Sequence, residues 1–76
     1  MDAHTLLAVM TVELDGDGRS GVIEIRAADE PAALARDFVR RFGLEDAVLP
    51  ALTEHIAANR VVALERLQEA SRMLAS

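Results

Sequence analysis

The 76-residue sequence predicts an α+β fold: a β-hairpin packed on two helices, the second drawn out towards the C-terminus. Three observations carry this. Apolar and polar residues alternate on both sides of a Gly-rich stretch, the mark of two strands joined by a turn. An acid-Pro pair then opens a stripe of Leu34, Phe38 and Phe42, spaced i, i+4, i+8. Finally, no Gly or Pro interrupts the chain from Ala51 to Ser76.

The first strand ends in Met10, Val12 and Leu14, set against Thr11, Glu13 and Asp15. The second carries Ile23, Ile25 and Ala27 against Glu24 and Arg26. Between them "DGDGRSG" supplies three Gly and two Asp for tight turns. The same stretch can be read as a calcium loop. Counted from Glu13, it places Asp15, Asp17 and Glu24 at ligand positions three, five and twelve, with Gly18 at six. That loop needs a helix on each side, and period-two flanks argue for strands. A hairpin is therefore expected, with the calcium site the weaker reading.

Asp29 and Glu30 before Pro31 read as a helix start, the carboxylates facing the positive helix end. "AALARDFVRRF" follows, with Ala35 and Val39 beside the apolar stripe and Arg36, Asp37, Arg40 and Arg41 opposite. Gly43 is the expected left-handed stop. Glu45 and Asp46 open the second helical region, with Pro50 in its first turn or at a kink. An inner face of Leu6, Ala8, Met10, Val12, Ile23, Ile25, Leu34, Phe38, Phe42, Leu52 and Ile56 results. A compact module at 5–60 leaves 61–76 as a helical extension. Along the second helix apolar residues recur every seven positions as Leu49, Ile56, Ala63 and Ala70, or along a seam of Leu64, Leu67, Ser71 and Leu74. Both are short for a coiled coil but suit the start of one. Asn59 and Arg60 mark the end of the compact part or set register in a helix pair.

Composition narrows the function classes. A chain this short holds one small domain, and 51% apolar residues are enough for a core rather than disorder. Without Cys there is no disulfide framework and no thiolate metal site. No apolar run approaches ~18 residues and no basic leader stands at the N-terminus, so neither a membrane span nor a signal peptide is expected. A net charge of −5 argues against nucleic acid. All eight basic residues are Arg, which leaves no lysine for ubiquitin attachment. A cytoplasmic location is the expectation.

Catalytic patterns are missing. His4 and His55 have no second His or Cys at ligand spacing and read as surface or cap residues. There is no nucleophile elbow, phosphate loop or H-E-x-x-H. No enzyme, cofactor, metal or small-molecule substrate is expected. The Arg36, Arg40 and Arg41 cluster is an ordinary solvated face or a dock for an acidic partner. The residues singled out for interaction are apolar ones lacking cover in the chain: Leu7, Val9 and Val22 on the outer strand face, and Val61, Leu64, Leu67 and Leu74 on the extension. A homodimer or a helical protein partner is the expectation.

The order strand, Gly-rich turn, strand, "DEPAALARDFVRRFGL", "LPALTEHIAANR" resembles a short ubiquitin-like ββαα pattern. Leu34, Ala35, Phe38, Leu44, Leu52, Ile56 and Asn59 are spaced in a way similar to the helical half of the PFU domain. The pattern also resembles small terminal modules beside coiled coils in protist cytoskeletal scaffold proteins of basal bodies and centrosomes. The first resemblance implies ubiquitin binding, the second protein–protein assembly at the cytoskeleton.

Overall fold

A computed structural model describes residues 2–14 and 18–75. Strand β1 (Leu6–Glu13) pairs antiparallel with β2 (Ser20–Arg26), and these two strands are the whole sheet. Helix α1 (Pro31–Phe42), a 3₁₀ turn (Asp46–Val48) and helix α2 (Leu49–Ala75) follow. The expected α+β hairpin with two helices forms, its second helix extended.

The hairpin closes tightly. Glu13 faces Ser20, and the Leu14 N–H donates to the Arg19 carbonyl at 2.9 Å. Gly18 adopts a left-handed φ of 85°, a conformation available to Gly at little cost. Glu13 and Glu24 lie inside the strands, so the helix–loop–helix frame of a calcium site does not form. Asp15 and Asp17, the other ligand candidates, lie outside the described residues.

The register corrects one core expectation. Leu6 faces Arg26, whereas Ala8 faces Ile25, so Leu7 is an extra residue in a β-bulge. A bulge changes which face the residues beyond it occupy. Leu6 therefore leaves the inner face and is 45% exposed. The remaining inner positions behave as the alternation predicts. Ile23, Ile25, Phe38, Leu52 and Ile56 are buried, together with Ala35 and Val39. Ala8, Met10, Val12, Leu34 and Phe42 pack against them while partly exposed.

Gly21 has a different role from the turn expected of it. It sits in β2 and is buried. A β-carbon there would lie 2.7 Å from Phe38 Cζ and 2.9 Å from Phe42 Cζ. The missing side chain lets the two rings, 4.6 Å apart by centroid, lie directly on the strand backbone.

Helix α1 starts at Pro31 and stops at Gly43, which has φ 64° and donates its N–H to the Val39 carbonyl. Leu44 N–H reaches the same carbonyl at 3.0 Å, a left-handed stop of the Schellman type. The expected acidic cap is corrected: neither carboxylate bonds the helix end. Asp29 instead accepts from the Arg26 N–H at 2.9 Å, clasping the turn out of β2. Glu30 makes no side-chain cap bond. In α2, Pro50 occupies the first turn, where its lacking N–H costs no helical bond.

Helix α2 has 27 residues, a length of about 40 Å at 1.5 Å per residue. Its last fully buried residue is Ile56. The molecule is accordingly elongated, 47 × 23 × 18 Å. Its radius of gyration of 14.2 Å exceeds the ~11 Å of a compact domain of this length. Its accessible surface is 5579 Å², against the ~4,500 Å² typical of a folded monomer of its mass. Among the described residues, no helix is long and apolar enough to cross a membrane.

Candidate functional site

Apolar side chains are left open where α2 passes the start of β1. Two contacts near the middle of the helix position it there. Arg60 donates an Nη2 hydrogen bond to the Ala27 carbonyl at 2.9 Å, tying α2 to the turn after β2. Asn59 Nδ2 donates to the His55 carbonyl at 2.8 Å and lies 3.9 Å from Met10 Sδ. These are the two residues whose polar character interrupts the helical stripe, and both hold the helix against the hairpin. Arg60 Nε is buried without a hydrogen-bond partner among the described residues.

Beyond these contacts a groove of about 580 Å³ opens between strand and helix. Leu7, Ala8 and Val9 form one wall; Val62, Ala63 and Leu67 contribute to the other. No residue of β2 lines it, so it lies on the side of β1 away from its partner strand. The small side chains of Ala58, Ala63 and Ala70 keep the helix wall low, and Arg66 is the one charged lining residue. Val9 is 55% exposed and Leu67 44%. Among the described residues no other strand lies on this edge of β1, so its outward backbone groups are available for pairing.

The opposite edge of the sheet differs in chemistry. A second hollow of about 420 Å³ joins β2 to α1, lined by Val22, Glu24, Arg26, Leu34, Asp37 and Arg41 among others. Arg26 pairs with Glu24 at 2.6 Å and Arg41 with Asp37 at 3.2 Å. These pairs are largely exposed and contribute little stability. They surround that edge with charge, which disfavours pairing with another strand.

The structure thus divides the residues that the sequence singled out. Leu7, Val9 and Leu67 meet in the β1–α2 groove. Val22 belongs to the other edge. Val61 is exposed but lines neither hollow, Leu64 is half-buried, and Leu74 stands 88% exposed at the end of α2. Sequence reasoning did not identify Ala58 and Arg66 as lining residues. Their i, i+8 spacing was the available signal, but alanine and arginine on a helix read as ordinary surface. All three residues of the Arg cluster are exposed, and Arg41 is paired with Asp37. His4 and His55 are exposed, and no cluster of metal-ligating side chains occurs among the described residues.

In comparisons with known proteins, no family model, curated protein or solved structure matches this chain.

Proposed function

We propose that this chain is a non-catalytic protein–protein interaction module that self-associates and serves assembly of a larger scaffold. The observation that carries this reading is the apolar groove between the β1 edge and the distal half of α2. An unpaired strand edge beside an uncovered helix face is a surface made to receive protein, because main-chain pairing and apolar burial act together there. Its lining, apolar but for Asn59 and Arg66, lacks the convergent polar groups that orient a small molecule. The resemblance to modules beside coiled coils supports a cytoskeletal setting, and the long α2 suits it.

Light scattering across a concentration series tests this. The mass is expected to rise from the 8.2 kDa of one chain to twice that value. A mass that stays monomeric at concentrations on the order of hundreds of micromolar, corresponding to less than about 5 kcal/mol of association, overturns self-association.

A further inference from the structure

We propose that the groove is filled by β1 of a second copy, so that two hairpins join edge to edge into one four-stranded antiparallel sheet. This rests on the self-association reading and specifies which surface performs it. The twofold axis runs perpendicular to the sheet, beside β1. All four helices then lie on one face of the sheet, and the two α2 extensions point in opposite directions.

Four observations select this occupant. First, the two edges are chemically unequal: β1 carries no charge except Glu13 at its end, while Glu24, Arg26, Asp37 and Arg41 guard β2. Natural edge strands avoid pairing by means of charge, proline or bulges. β1 has its bulge only at Leu7, leaving Ala8 to Glu13 regular. Second, the inner face is unevenly covered. Gly21, Ile23 and Ile25 of β2 are buried, whereas Ala8, Met10 and Val12 of β1 are only partly so. A strand added beside β1 places its own inner residues over Val62 and Leu67, and a second β1 brings the required small and flexible apolar side chains.

Third, the symmetry suits the charge. Antiparallel pairing sends the two Glu13 side chains to opposite ends of the interface, avoiding the like-charge opposition that destabilises strand pairs. Fourth, there is area to cover. The chain as a whole exposes roughly 1,000 Å² more than a compact monomer of its mass, and a standard interface takes ~800 Å² from each partner.

The chain has no Cys, so single-cysteine variants can be spin-labelled without background. Thr11 and Leu74 are both exposed and line neither hollow, and Thr11→Cys and Leu74→Cys report opposite geometries. With β1 edges paired, labels at Thr11 lie within roughly 25 Å of each other, given the ~5 Å strand spacing. Labels at Leu74 lie beyond roughly 30 Å, because each Leu74 stands about 15 Å along its helix from the middle of the Ala58–Ala70 groove wall, in opposite directions. A parallel coiled coil of the two tails reverses the pattern, with Leu74 labels about 10 Å apart at the backbone. That reversal overturns the inference while leaving self-association intact, and so does any other dimer with Thr11 labels far apart. A chain without intermolecular distances overturns both. A second variant keeps the test independent of labelling. Val9→Lys on the edge strand is expected to weaken the dimer at least tenfold, and Val22→Lys less than threefold. Equal effects of the two overturn the assignment to the β1 edge.

Discussion

At the scale of single residues, Gly21 and Phe38 form a tight junction between β2 and α1. Phe38 is buried at 3% exposure and its ring lies where a β-carbon on Gly21 would fall. Removing the ring with Phe38→Ala costs about 3–5 kcal/mol, which is as much as a core of this size supplies in total. Gly21→Ala acts in the opposite sense. The strand accommodates alanine in its extended conformation, but the rings must move, an overpacking cost of about 1–3 kcal/mol. The two sites are therefore coupled. Denaturant unfolding of Gly21→Ala, Phe38→Leu and the double variant checks this. Gly21→Ala is expected to cost less in the Phe38→Leu background, with a coupling of at least about 0.5 kcal/mol. Additive costs would mean that the rings do not rest on Gly21.

At the scale of elements, each helix boundary and strand has an identifiable cause. Gly43 stops α1 in the left-handed conformation, and the 3₁₀ turn lets Pro50 enter α2 where no N–H is needed. The hairpin governs the acidic loop: with Glu13 facing Ser20 and Glu24 facing Val9, the chain is committed to a ladder. Glu24 is further engaged by Arg26 at 2.6 Å. The loop is expected to bind no calcium at physiological concentration. Calorimetric titration checks this; micromolar affinity lost in Asp15→Ala would contradict it.

At the scale of the molecule, compact module and extension separate physically. Every buried core residue precedes Arg60, whose bond to Ala27 is the last hydrogen bond from α2 to the hairpin among those described. A chain ending after Leu64 keeps the core, the Arg60 contact and the half-buried Leu64, and removes Arg66, Leu67 and Ala70 from the groove. It is expected to unfold cooperatively, with less helical circular dichroism, and to remain monomeric where the full chain dimerises. A truncated chain that still dimerises with undiminished affinity would show that the distal helix wall is not part of the interface.

Local periodicity and stop signals were sufficient to derive the order of elements, the hairpin, the Gly43 stop and the uninterrupted α2. Each is decided by residues within a few positions of one another. The same alternation identified Ile23, Ile25, Phe38, Leu52 and Ile56 as core, because period fixes the face a side chain occupies. It also marked Leu7, Val9 and Leu67 as apolar residues without cover. What remained hidden depends on residues distant in the chain. The bulge at Leu7 that turns Leu6 outward is a property of two strands in register. Gly21 reads as a turn residue until Phe38 and Phe42 are seated on it. Asp29 reads as a cap until the Arg26 N–H competes for it. The candidate site follows the same rule. Only the packing of α2 across the hairpin, held by Asn59 and Arg60, brings the β1 edge and Leu67 into one groove and leaves Val22 on the other side. That packing arises from contacts made across the fold, whose energies no local window of sequence contains.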